Sequence, residues 1–146
     1  MRIDPAAEVL YRLRLAELYL TDAENALKRG DFRAVVASSQ LSAENAAKAV
    51  IAVFRVPSWS HDPSPELREL RHRVPEAVRG LLDELADIVK ELAPEHGRAT
   101  YGEPTRALTP WDIYDEGDAK RALERARRAL ADARAVLRAL GQEPQP

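Results

Sequence analysis

The run SSQLSAENAAKAVIAVF, Ser38 to Phe54, sets Gln40, Glu44 and Lys48 at every fourth position among small and apolar side chains. Residues four apart share one face of an α-helix. A second pattern runs through the same stretch: Phe32, Val36, Ser39, Ala43, Ala46, Val50 and Val53 recur at alternating spacings of four and three, the signature of a helix with a core face. The middle of that core face is made of Ser39, Ala43 and Ala46, small enough to let a partner helix come close. The polar line is most simply a solvated face. Glu44 precedes Lys48 in the favourable order, which at a surface contributes roughly 0.3–0.5 kcal/mol.

Working back towards the N-terminus, Val9, Leu13, Ala16, Leu20, Ala23 and Leu27 form the stripe of a preceding helix. It ends in LKRGD, where cations suit the last turn, Gly30 suits a left-handed C′ position and Asp31 can cap the next helix. So short a connection makes the two helices antiparallel neighbours. The first helix also carries Leu10, Tyr11, Leu15, Leu18 and Tyr19 outside its stripe, so it is apolar over more than the single face one core needs.

Towards the C-terminus, SPEL offers Ser64 as a cap and Pro65 at the first helical position, and Pro75 breaks the helix near Val74. Periodicity resumes with Val78, Leu81, Leu85, Ile88 and Leu92. A last helix opens after DEGD and carries Ala119, Leu123, Ala126, Leu130, Ala133, Leu137 and Leu140. No segment alternates as a strand would. The expectation is an all-α fold, a four- to five-helix up-and-down bundle occupying residues 1–146 as one domain. Two long connections interrupt it, 55–63 and 94–117, and the stretch 141–146 reads as a frayed tail. A long irregular segment in a bundle is more often functional than idle, and Tyr101, Trp111 and Tyr114 give 94–117 rings with which to pack.

A chain of 146 residues builds a core without disulfides, and it has no Cys to make them. A net charge of -2 does not mark the whole molecule as a polyanion binder. Arg12, Arg14 and Glu17 interrupt the N-terminal apolar run, and no stretch approaches a membrane span, so a soluble cytoplasmic protein is expected. The last helix is basic, with Lys120, Arg121, Arg125, Arg127, Arg128, Arg134 and Arg138 against Glu124 and Asp132. Such a stripe can track a phosphate backbone, but the acids of LLDELADIVKEL make charge pairing within the bundle the favoured account. The three His are scattered at positions 61, 72 and 96, with no cluster at ligand spacing, so no metal and no cofactor is expected.

Several of these stretches together resemble the HEPN domain (higher eukaryotes and prokaryotes nucleotide-binding). QLSAENAAKAV resembles its second-helix signature, following a first helix that ends in KRGDF. SHDPSPELREL resembles its His-Asp segment. RATYGEPTRALTPWDIYDEGDAKRALERA resembles its late Arg-x-x-Tyr-Gly element and the opening of its last helix. The resemblance runs from about Pro5 to Leu140. It implies a helical bundle that usually forms a homodimer, and often a metal-independent ribonuclease acting through an Arg followed after four to six residues by His. In that chemistry His removes the 2′-hydroxyl proton and Arg stabilises the phosphoryl charge. Several relatives are toxins silenced by a small nucleotidyltransferase.

Arg55 and His61 enclose five residues, VPSWS, and fit that motif as a catalytic pair. They lie after the second helix, however, whereas the family's motif lies near the last one. At the later place His96 precedes Arg98, in the reverse order, and Arg68 to His72 leaves only three residues between. The resemblance therefore points first to a non-catalytic or accessory protein that binds nucleotide or RNA phosphate with a minimal nucleotidyltransferase partner. The alternatives are an active endoribonuclease, the toxin of a toxin–antitoxin pair, and a dimerisation module without ligand. For ligand binding the expected residues are His96, Arg98 and Tyr101. Arg98 could hold a phosphate bidentately or simply pair with a carboxylate, and Tyr101 could stack a base or wedge the long connection onto the bundle.

Overall fold

A computed structural model describes residues 4–142. The expected tail therefore lies mostly outside the described residues. Four long helices make the bundle: α1 (Pro5–Lys28), α2 (Phe32–Ala52), α4 (Arg79–Leu92) and α7 (Glu116–Ala139). Three short ones fill the connections: α3 (Ser64–Glu69), α5 (Glu95–Tyr101) and α6 (Pro110–Ile113). Among the described residues there is no strand, only an isolated bridge between Glu103 and Leu108. The all-α bundle is thus as the periodicity predicts.

The α1–α2 turn follows from its residues. Gly30 takes φ +74, the left-handed conformation. Its N–H donates to Leu27 O at 3.1 Å and the Asp31 N–H to Ala26 O at 3.0 Å, which closes a Schellman motif. The Asp31 side chain then caps α2 by accepting from the Ala34 N–H. The two helices approach closely on small residues, and the Ser42 hydroxyl donates to Ala16 O at 2.7 Å across their contact. Arg12, held by Glu8, donates to Asn45 Oδ1 and locks the same pair one turn further on.

α2 is the centre of the molecule, packed by α1, α7, α4 and α5 on different sides. Around it Leu13, Ile51, Leu82, Leu85, Ile88 and Leu137 are fully buried, each contributing about 1.5–3 kcal/mol by removal from water. This central position overturns the solvated reading of the polar line. Gln40, Glu44 and Lys48 are all buried, Glu44 to 5% and Lys48 to 3% of their surface.

Two local expectations shift. Ser64 is the first helical residue of α3 rather than its cap, and Asp62 Oδ1 accepts the Ser64 N–H instead. The segment 94–117 is not one irregular connection: it folds into α5, a 3₁₀ turn at Pro104–Arg106, and α6. Thr109 and Asp112 close a capping box on α6, a short-range device that hydrophobic periodicity does not register.

The surplus apolar residues of α1 divide. Leu10, Tyr11 and Leu18 stand exposed, while Leu15 and Tyr19 are half-buried. Among the described residues no helix is long and apolar enough to cross a membrane. The basic residues of α7 are engaged by acids around them: Arg125 by Glu91, Arg127 by Glu24, Arg128 by Glu84 and Asp132, and Arg134 by Glu17.

Candidate functional site: a histidine pair on a buried polar triad

The polar line of α2 is a hydrogen-bonded chain. Gln40 Nε2 donates to Glu44 Oε1 at 3.0 Å, and Lys48 Nζ lies 3.2 Å from Glu44 Oε2. An ion pair this deep carries a desolvation penalty that only further hydrogen bonds offset. They come from outside the helix. His61, in the connection after α2, places Nδ1 3.0 Å from Glu44 Oε1. His96, in α5, places Nδ1 3.1 Å from Gln40 Oε1. The two imidazoles stack, with centroids 3.5 Å apart and planes 18° from parallel.

These bonds set the tautomers. Glu44 Oε1 and Gln40 Oε1 only accept, so each neutral ring carries its proton on Nδ1. Each Nε2 is then a free acceptor, with no hydrogen-bond partner among the described residues. Burial lowers the pKa of His96, and the charges of His61 and Lys48 push it the same way; Glu44 opposes them. The site therefore offers two neighbouring imidazole nitrogens, both oriented from behind.

Glu44, His61 and His96 each bring one potential ligand atom within 4.8 Å of the others. Histidines that look scattered along the chain are therefore not scattered in space. As arranged, the trio suits proton transfer and hydrogen bonding better than a metal. A metal lies in the plane of each imidazole that binds it, about 2.1 Å from nitrogen. Two nearly parallel planes stacked at 3.5 Å do not share such a point, and the Lys48 ammonium already occupies Glu44.

The other expected residues go elsewhere. Arg55 pairs with Glu69 at 3.1 Å and Glu66 at 3.6 Å, so it shares no charge partner with His61. Arg98 stands two residues from His96 on the opposite side of α5. It is held by Glu103 at 2.8 Å and Glu95 at 3.3 Å, beside the Tyr114 ring. Its ion pairs outweigh its burial and raise its pKa. Tyr114 donates to Glu95, and burial together with that bond raises the pKa of its hydroxyl. Arg98 and Tyr114 line a cleft of about 200 Å³ with Glu91, Arg121 and Arg125. Tyr101 is largely exposed. Of the five expected site residues, His61 and His96 meet each other, and Arg55, Arg98 and Tyr101 do not join them.

The residues that sequence reasoning missed as site components are Gln40, Glu44 and Lys48. Their signal was present in the four-residue polar spacing on a helix otherwise too apolar and small to face water.

A helical bundle whose central helix anchors polar side chains from two connecting segments defines a small all-α domain. The HEPN domain family model matches residues 9–144, nearly the whole chain, and the protein belongs to the HEPN domain family. No curated protein and no solved structure matches it.

Proposed function

We propose that this HEPN-domain protein holds a phosphate of a nucleotide or RNA at the outer edge of the His61–His96 pair. It acts there as a non-catalytic or accessory module beside a minimal nucleotidyltransferase. The observation that carries this is the stacked pair itself: both inner nitrogens are anchored, and both Nε2 atoms are left for a ligand. A protonated Nε2 donates to phosphate oxygen. Fluorescence anisotropy with labelled single-stranded RNA, ATP and GTP at low salt tests it. Binding is expected to weaken in His61→Ala and His96→Ala. Absence of binding by the native protein sinks the proposal.

A second reading, a metal-independent endoribonuclease, draws support from the Glu44–His61 hydrogen bond. A carboxylate holding Nδ1–H leaves Nε2 poised as a general base, and His96 can return a proton to the leaving oxygen. RNA cleavage in chelator that fails on 2′-deoxy substrate and in His61→Ala would favour it. Arg55→Ala tests whether the arginine between Glu66 and Glu69 takes part.

The exposed Leu10, Tyr11 and Leu18 on α1 support a homodimer, since a two-fold contact would cover them. Light scattering over a dilution series is the check: a mass near 16.3 kDa throughout refutes it.

A further inference from the structure

Trp59 is 95% exposed and stands two residues before His61. An indole is a large apolar surface that a folded chain ordinarily covers. The protein's other tryptophan differs in this respect: Trp111 is also exposed, but the Arg33 guanidinium lies over its ring at 5.3 Å. No described side chain makes a ring contact of that kind with Trp59.

The backbone under Trp59 is nevertheless held on both sides. The Ser58 hydroxyl donates to Glu66, and the Ser60 N–H donates back to Ser58 Oγ at 3.3 Å. The Ser60 hydroxyl donates to Asp62 O at 3.1 Å, and His61 is tied to Glu44. Pro57 stiffens the approach. A free ring on a fixed loop loses little conformational entropy when something flat settles on it. Trp59 and His61 are separated by one residue, so their Cα atoms lie within about 7 Å.

We propose that Trp59 is a stacking platform for a nucleobase whose own or neighbouring phosphate sits at the His61–His96 pair. This makes the ligand a single-stranded RNA segment or a free nucleotide, because a base paired in a duplex cannot turn its face to the indole. The inference rests on the phosphate reading above. Stacking on one aromatic face tolerates any base, so the platform confers preference for unpaired nucleic acid and not for sequence. The loss of one such stack weakens binding by about ten- to a hundredfold.

The experiment uses the full chain in a Trp111→Phe background, where Trp59 is the only indole. Titration with a short single-stranded RNA should quench its fluorescence, and titration with inorganic phosphate should not. Trp59→Ala should weaken the RNA about ten- to a hundredfold with helicity unchanged, and Trp59→Phe should recover part of the loss. The same RNA annealed to its complement should bind the native protein no better than Trp59→Ala binds the single strand. If Trp59→Ala leaves RNA affinity unchanged while His61→Ala reduces it, the platform is wrong and the phosphate reading stands. If Trp59→Ala loses affinity and His61→Ala does not, the platform stands and the phosphate reading falls. An indole needed only for capture of a protein partner, with RNA affinity untouched, overturns the proposal.

Discussion

His61 and His96 lie face to face at 3.5 Å, although α3 and α4 intervene between them in the chain. A positive charge on the His61 ring at that distance disfavours a second one on His96. The pKa of His96 falls below the ordinary 6.5, first from burial and then from the charges of His61 and Lys48. Removing His61 both uncovers His96 and deletes one of those charges. By proton NMR, the His96 midpoint is expected below 6.5 in the native protein. It should move upward in His61→Ala. A midpoint that stays put or moves down in the variant would contradict the stacked arrangement.

Lys48 and Glu44 form an ion pair buried under the histidines. Deleting one partner strands the other charge in a site shielded from water. Lys48→Met is expected to lower the unfolding free energy by about 3 kcal/mol in a urea titration. Glu44→Gln combined with Lys48→Met should cost less than the sum of the two single changes, because the double variant leaves no unpaired charge. Strict additivity would mean that the pair is effectively solvated.

The same pair marks where the sequence was legible and where it was not. The stripes of α1, α2 and α7 and the LKRGD turn were readable because periodicity and capping are local properties of the chain. Whether the Gln40–Glu44–Lys48 line met water or protein depended on how many helices surround α2, which is a tertiary fact. His96 could meet His61 only once 94–117 had folded into α5 and α6, short helices with too few residues to establish a period. The pairing of Arg98 with Glu95 and Glu103 was one of the two accounts its spacing allowed, and charge in the folded chain decides for it. The carboxylates that engage α7 were visible in composition alone, partner by partner only in space.

The α5–α6 segment depends on Gly102, whose φ of +73 with ψ -148 is a conformation reserved for glycine. A Cβ there would sit 2.2 Å from Leu108 O, inside the bridge where Glu103 and Leu108 exchange hydrogen bonds of 2.8 and 3.1 Å. Gly102→Ala is expected to destabilise by about 2 kcal/mol or more. It should also disturb the His96 NMR signal, because α5 carries that ring. Gly97, in the same helix, has nothing within 4 Å of an added Cβ, so Gly97→Ala should be neutral or slightly stabilising. Equal effects from the two substitutions would rule out this account.

Asp132 faces α4 from the middle of α7 and is 2% exposed. Arg128 Nε lies 3.4 Å from its Oδ1, but Oδ2 is buried with no hydrogen-bond partner among the described residues. Glu84, from α4, takes the better share of Arg128 through a direct hydrogen bond. Burial above all, then the neighbouring Glu84 carboxylate, raises Asp132 from an ordinary 3.8 to about 7, and Arg128 only partly opposes them. A carboxyl whose folded pKa exceeds its unfolded one binds its proton more tightly in the folded state. Its contribution to stability is therefore fully present below about 3.8 and is lost as the pH rises through about 7. Glu84 works the other way. Its pKa is lowered, chiefly by the Arg128 hydrogen bond, so its contribution holds above 4.5 and declines only in more acid solution. Between pH 5 and 8 the Glu84 effect is steady, and the effect of the lowered His96 pKa is common to the native protein and an Asp132 variant, so their difference reports Asp132. Asp132→Asn keeps the shape and removes the titration. The native protein should lose urea stability relative to Asp132→Asn on going from pH 5 to pH 8, with most of the change near neutrality. A difference between the two proteins that is constant over this range, or that moves in favour of the native chain at pH 8, would show that Asp132 keeps its charge in the folded state.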